Sequence, residues 1–281
     1  MSNFWLLRNP RLRWLLASLL IGAAALVFVL PLVVTVLWSL VDPEVGWFPP
    51  DVVPSSLSLA NWRALLAVPE MGDALANSLT IAPCVTLLCA ALGLPTGYAI
   101  ARRIGRYRPA LELFVLTPVM MPGVVLATGL GAFFMRMGLA QTMTGVIIAQ
   151  TVVVLPLMIR IVAATCDAVP ADVVDSARML GAGPLALTRL IIVPLVMPGL
   201  VAGGLLCFVG SLEEFVLSFI VGMPTVQTLP MLLWAYVGGR SSIFTYAAVV
   251  TLVLLVPTLI LLVVIERVVK QEYLAAGFGK A

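Results

Sequence analysis

The chain has 281 residues, of which 62% are hydrophobic and 10% charged, with a net charge of +3 and a mean hydropathy of +1.15. A soluble domain carries about 25% charged residues, so this composition describes a membrane protein whose solvent is mostly lipid. The absence of histidine excludes a histidine metal centre, a Ser-His triad and a histidine proton relay.

A helix that crosses the bilayer needs about 20 mostly apolar residues. The first such run is 16–40, preceded by Arg8, Arg11 and Arg13. It is longer than the roughly 7–15 apolar residues of a secretory signal, so it reads as a retained helix. An acidic loop follows at 41–74, with Asp42, Glu44, Asp51, Glu70 and Asp73. The second and third runs are 75–100 and 111–134, and Arg102, Arg103, Arg106 and Arg108 cluster between them. Glu112, just past Arg108, reads as an interfacial residue with a local partner. Pro118, Met120, Met121 and Pro122 bend or loosen the third span, either as a plain kink or as a gate. The fourth run is 143–164. Cys84, Cys89, Cys166 and Cys207 form no C-x-x-C pair and read as small hydrophobes, with no disulfide and no metal expected.

The connection at 167–194 reads DAVPADVVDSARMLGAGPLALTRLIIVP. Pro170 and Asp172 suit the first turn of a helix. Val173, Val174, Ala177 and Leu180 recur at helical spacing as an apolar stripe, and Gly181 and Gly183 stop the helix. Pro184 starts a second short helix, and Pro194 and Pro198 mark re-entry into the membrane. A short amphipathic helix, a glycine elbow and another helix are therefore expected. The bland reading places the first of these on the lipid interface or packed under its own bundle.

The fifth and sixth runs are 195–221 and 244–265, with Arg267, Lys270 and Lys280 beyond them. Basic residues collect in alternate connections, so both termini and 102–108 are expected in the cytoplasm and 41–74 outside. The whole of 1–281 reads as a single transmembrane domain. Gly203 and Gly204 permit close helix packing. Trp234 and Tyr236 read as interface anchors or as part of a substrate-lining turn.

The fifth run holds GSLEEFVLSF at 210–219, with adjacent Glu213 and Glu214. A carboxylate at the bilayer centre costs about 2.5–3.5 kcal/mol on insertion scales. A continuous helix from Pro198 places Glu213 about 22 Å along its axis, in the outer half of the membrane. Such residues face a wet cavity or a bundle interior and mark function. The structural alternative is an ion pair to Arg136 or Arg240. On one helix the two side chains point about 100° apart. One then lines a path, and the other pairs with an arginine or a backbone donor and fixes helix rotation. Ser211 and Trp234 join Glu213 and Glu214 as candidate path residues.

DSARMLGAG followed by VPLVMPG resembles the EAA loop of the inner-membrane permeases of binding-protein-dependent ABC importers. Asp175, Ser176 and Ala177 stand in the EAA places, Gly181 is the glycine, and Val193-Pro194 and Pro198-Gly199 close the pattern. The departures are Asp for Glu, Ser for Ala and Val for Leu. LSLANWRALL (57–66), ALANSLTIA (74–82), LPTGYAIAR (94–102), LTPVMMPGVV (116–125), SLEEFVLSF (211–219) and TLPMLLW (228–234) resemble the same family in the same order. The last two, with Pro118 and Pro122, are most similar to the polyamine branch, which carries acidic residues where Glu213 and Glu214 stand.

The resemblance implies an all-α type I ABC-importer permease fold, with about six transmembrane helices and a cytoplasmic coupling helix, in a bacterial inner membrane. It implies that Asp175, Ser176, Ala177, Leu180, Gly181 and Pro194 belong to a segment docked on an ATPase. The implied partners are two ATPase subunits, a second, non-identical permease and an external substrate-binding protein, with no nucleic acid. No cofactor is expected on this chain. It has no G-x-x-x-x-G-K-[ST] phosphate loop, so ATP and Mg belong to the ATPase. The substrate implied is a small organic cation such as putrescine or spermidine, with another small solute as the alternative. An ion-coupled carrier using Glu213 and Glu214 is a second function class. An intramembrane hydrolase is poorly supported, because no aspartate lies inside a span.

Overall fold

The computed structural model describes residues 10–102, 105–238 and 243–278, with helical backbone alone at 10–13, 262 and 264–278. Arg8, Arg103, Arg240 and Lys280 lie outside the described residues. The described residues form an all-α fold. Five of its helices are long and apolar enough to cross a membrane, or six if a bent pair counts as one span. The chain divides into two compact units, Met1–Ala67 with Tyr236–Val253, and Val68–Ala235 with Leu254–Ala281.

In the first unit, α1 (Pro10–Ser39) begins earlier than the expected span at 16–40 and keeps Pro31 inside it. None of its most apolar window is buried by protein, as suits a helix whose solvent is lipid. The loop after it is tied back on itself. The amide of Ser58 donates to the Leu40 carbonyl at 2.7 Å, and Asn61 Nδ2 donates to the Val41 carbonyl at 2.6 Å. The short helix α2 (Ala60–Leu66) follows.

The second unit is built on three mutually packed helices: α3 (Pro69–Arg102), α6 (Met143–Ala168) and α9 (Val193–Leu212). Their contact faces carry Ile81, Val85 and Cys89 from α3, Met158 and Val162 from α6, and Val196 and Cys207 from α9, all buried. Cys166 is buried too, whereas Cys84 is exposed. The helices approach closely through glycine. A Cβ on Gly97 would stand 2.9 Å from the Ile159 carbonyl oxygen, a backbone atom that cannot step aside. Gly203 is as tight, its Cβ position 2.8 Å from Met158 Sδ, but Gly204 meets only ordinary contact. Of the two glycines assigned to close packing, Gly203 does it.

The later expected spans differ from the helices found in continuity or in bounds. The run 111–134 is not one straight helix: α4 (Arg108–Met120) and α5 (Gly123–Met137) meet at 92°. Met121 is extended, as a residue before proline is biased to be. The run 195–221 begins earlier and stops earlier. α8 (Pro184–Leu187), a π turn at Thr188–Ile192 and α9 form one continuous helix, Pro184–Leu212. The wide turn lets the Val193 amide reach back to the Thr188 carbonyl just where Pro194 has no N–H to offer. Pro194 and Pro198 therefore both sit inside a continuous helix. After the break at 213–215, a turn at Ser218–Gly222 and α10 (Leu229–Gly238) complete the region. The last helix, α11 (Phe244–Phe278), runs past the expected end at 265.

Replacing Gly97 with Leu should cost about 1–3 kcal/mol by overpacking and sharply reduce recovery of folded protein. Gly129→Leu, where a Cβ meets nothing within 4 Å, should be recovered normally. Thermal unfolding of the two purified variants checks this, and equal stability contradicts the packing account.

Candidate functional site

The chain is interrupted where the two glutamates stand. α9 ends at Leu212, with the Glu213 amide still bonded to the Val209 carbonyl at 3.0 Å. The next helical turn starts after Glu214, whose carboxylate caps it. Its Oε1 accepts the Leu217 N–H at 2.8 Å and its Oε2 accepts the Ser218 N–H at 2.9 Å. Two of the four orphan donors of a helix start are thus satisfied by one charged group, where a negative charge is favoured.

A buried chain of polar side chains holds this cap. Ser211 Oγ donates to Gln150 Oε1, Gln150 Nε2 donates to Ser218 Oγ at 2.8 Å, and Ser218 Oγ bonds to Glu214 Oε2 at 3.0 Å. Gln150, Ser211 and Ser218 are at most 4% exposed. The network therefore joins α6, the end of α9 and the new turn in an apolar surround, where each bond lost is costly. Glu213 is different: it is exposed, and among the described residues its side chain has no hydrogen bond or ion pair. Among the described residues neither glutamate has an arginine partner. Arg136 is exposed at the end of α5, and Arg240 lies outside the described residues. The backbone-donor alternative is the one Glu214 adopts. The two glutamates are not neighbours on one helix, because α9 ends at Leu212, before both of them.

Trp234 on α10 is half exposed and touches rings that follow the break. Its centroid lies 5.9 Å from Phe215 and 5.6 Å from Phe219, which are 5.4 Å from each other. Trp234 and Phe219 also line a cavity of about 150 Å³ with Met223, Pro224, Gln227 and Met231. Two polar residues of α3 brace this region: Asn77 Nδ2 donates to the Gln227 carbonyl at 2.9 Å, and Ser78 Oγ accepts the Leu229 N–H at 2.9 Å.

At the other end of α6 lies the second candidate region. Arg102, the last residue of α3, donates to the carbonyl of Cys166, which also accepts the Val169 N–H, and to the carbonyl of Val169 at the end of α6. Arg108 grips Asp167 bidentately, at 2.6 and 3.1 Å, and pairs with Glu112 at 2.7 Å, the local partner expected. The short helix α7 (Ala171–Met179) follows at once. Its end is a Schellman motif: the Gly181 N–H reaches the Arg178 carbonyl at 2.9 Å, and the Ala182 N–H reaches the Ala177 carbonyl at 3.0 Å. Gly181 has φ +83°, a conformation side chains oppose.

The predicted stripe on α7 divides. Val174 and Ala177 are buried in the core of the unit, while Val173 and Leu180 are exposed. Leu180 is 89% exposed and Met179 90%, with Leu185 beside them in sequence also outward. Asp175 and Ser176 are exposed, and Asp175 pairs with Arg178 at 3.2 Å. Pro194 is exposed on α9, a helical residue outside the elbow itself.

Sequence reasoning missed Gln150, Ser218, Asn77 and Ser78. The signal was available for Gln150, an amide in the apolar run GVIIAQTVVVLP, since a polar group in a span must find a partner. Its partners could not be read, because they are 61 and 68 residues away.

The sequence profile described as binding-protein-dependent transport system inner membrane component matches residues 93–271. The putrescine transport system permease protein PotI of Escherichia coli (strain K12) is 28% identical over 252 residues, covering 84% of this chain and 83% of that protein. The sulfoquinovosyl glycerol transport system permease protein SmoH of Agrobacterium fabrum is 26% identical over 234 residues, covering 83% and 80%. Among solved structures, a bacterial ABC transporter involved in the import of the acidic polysaccharide alginate superimposes with a TM-score of 0.71. It is 17% identical and covers 92% of this chain and 97% of its own.

Gln150→Leu should leave Ser211 and Ser218 without their buried partner, at about 1–3 kcal/mol for a group left unsatisfied. The expected outcome is a lowered unfolding temperature of the purified protein. An unchanged midpoint contradicts the network.

Proposed function

The chain belongs to the family of binding-protein-dependent transport system inner membrane components, and on that premise we propose that it moves a small organic cation inward past Glu213. The observation that carries this reading is an exposed carboxylate at a helix break, next in the chain to a capped glutamate and to Phe215 of an aromatic trio. Moving an ammonium group along an apolar path is costly. A carboxylate offsets part of that cost by charge-assisted hydrogen bonding, and ring faces attract cations. A polyamine such as putrescine or spermidine fits these requirements. The relatives' names run from a putrescine system to a sulfoquinovosyl glycerol system, so the chemistry of this chain, rather than likeness, supports the substrate class. In this reading Glu213 meets the substrate, Trp234 lines its route, and Glu214 and Ser211 hold the break.

We propose further that 1–281 acts as one permease domain in a bacterial inner membrane, with both termini, the connection 102–108 and α7 in the cytoplasm. α7 and its elbow dock on an ATPase subunit, presenting Met179 and Leu180. ATP and Mg act on two such subunits, and a second, non-identical permease and an external binding protein complete the complex. The continuous helix Pro184–Leu212 then carries movement at the elbow into the membrane. A carrier working alone would give Glu213 a use but would leave the exposed apolar elbow without one.

Glu213→Gln should reduce transport of labelled putrescine or spermidine in proteoliposomes at least tenfold, while the complex still assembles. Glu214→Gln keeps one acceptor for two backbone donors and should lower recovery of the complex instead. Near-normal cation transport by Glu213→Gln removes the argument for a cationic substrate.

Gly181→Leu forces a side chain onto a left-handed residue and should lower transport per ATP hydrolysed at least tenfold, or prevent capture of the ATPase. Normal coupling in that variant contradicts the assignment of α7.

A further inference from the structure

The first unit holds a cavity that the transport reading does not use. It measures about 410 Å³ and lies among Trp38, Asp42, Trp47, Phe48, Phe244 and Tyr246. Trp38 belongs to the last turn of α1 and Tyr246 to the first turn of α11, both candidate membrane spans. The cavity therefore opens where a span meets water.

We propose that this cavity is a binding site for an organic ammonium group. The rings form a concave wall rather than a flat platform. Trp38 and Trp47 are 5.0 Å apart at 43°, and Trp38 and Phe244 are 5.9 Å apart at 49°. Concave aromatic walls hold cations by the negative faces of their rings.

The polar lining is matched to a cation. Asp42 is held in place: its Oδ1 accepts the Glu44 N–H at 3.0 Å and its Oδ2 accepts the Ser56 hydroxyl at 3.1 Å. Each carboxylate oxygen keeps a further lone pair for a ligand. Asn61 Nδ2 and Trp47 Nε1 donate to the Val41 and Asp51 carbonyls, and the lining also includes Trp38, Thr245 and Tyr246. No lysine or arginine lines the cavity among the described residues. An anion would need positive charge, which the described lining lacks. An ammonium group needs only acceptors and ring faces.

Two sources can supply that chemistry at a membrane boundary: a free organic ammonium ion, or the ethanolamine head of a zwitterionic lipid. The lining shares no residue with the Glu213 region, so its test is read separately from the transport reading. The complete complex is placed in phosphatidylglycerol nanodiscs and titrated with tetramethylammonium by calorimetry. In parallel, nanodiscs of equal phosphatidylethanolamine and phosphatidylglycerol are examined by native mass spectrometry for retained lipid. Asp42→Asn keeps the shape and the loop contacts, and Trp47→Leu keeps an apolar wall. Glu70→Gln, an exposed carboxylate in the first turn of α3 that is absent from the lining, serves as the unaffected control.

Tetramethylammonium binding that weakens at least tenfold in both variants, and is unchanged in Glu70→Gln, supports the site with a free ion. Selective retention of phosphatidylethanolamine that both variants lose supports it with a lipid head. If Trp47→Leu does not assemble, Asp42→Asn decides alone. Neither ligand bound, a smaller drop in a folded variant, or an equal drop in Glu70→Gln overturns the proposal.

Discussion

The carboxylate of Glu214, seated on the N–H groups of Leu217 and Ser218, is the contact on which the membrane half of this protein turns. A charged group in a span must be satisfied from within the protein. Glu214 meets that need by starting a new helical turn, and the turn can start only if α9 ends first. The interruption at 213–215 is thus a consequence of where the charge sits. No proline or glycine stands there to break the helix. Once the helix ends, Glu213 is left on the open side of the break and Phe215 is delivered to Phe219 and Trp234.

Gln150 makes the arrangement specific. It joins Ser211 before the break to Ser218 after it, so the two ends keep one spacing. Gln150 also belongs to α6, and α6 is held at its far end by Arg102 and Arg108. About 25 Å of helix separates Gln150 from Asp167. The exposed pair Arg108–Asp167 contributes little to stability by itself, but its fork fixes the position from which α7 departs. In the proposed mechanism α6 therefore touches both the coupling elbow and the break, and Pro184–Leu212 runs alongside it as a second connection.

Much of the fold was legible in the sequence because lipid imposes simple rules. Apolar runs of span length predicted helices at 16–40, 75–100, 143–164 and 244–265, and helices cover each of these positions except for Leu40, which lies just past the end of α1. The glycine elbow was legible too, since a helix that meets Gly181 has a specific way to end. What hydropathy could not see was continuity. The runs 111–134 and 195–221 are apolar throughout, yet one bends by 92° and the other stops at a charge. Hydropathy also cannot separate Val174, which packs inward, from Leu180, which does not, because both sit on the same apolar stripe. The pairing of Glu214 with backbone donors was among the readings open from sequence; its link to Gln150 was not, because that contact spans the fold.

The central claim is that the chain opens to water at Glu213 while its neighbours on either side stay buried. Single cysteines at Glu213, Leu212 and Ser218, in a protein whose exposed Cys84 is replaced by serine, test this directly with a membrane-impermeant cationic thiol reagent. The account predicts rapid modification at Glu213→Cys and protection of Leu212→Cys and Ser218→Cys by at least tenfold in rate. Equal protection at all three positions would contradict it, because the break would then be sealed and Glu213 could meet no substrate.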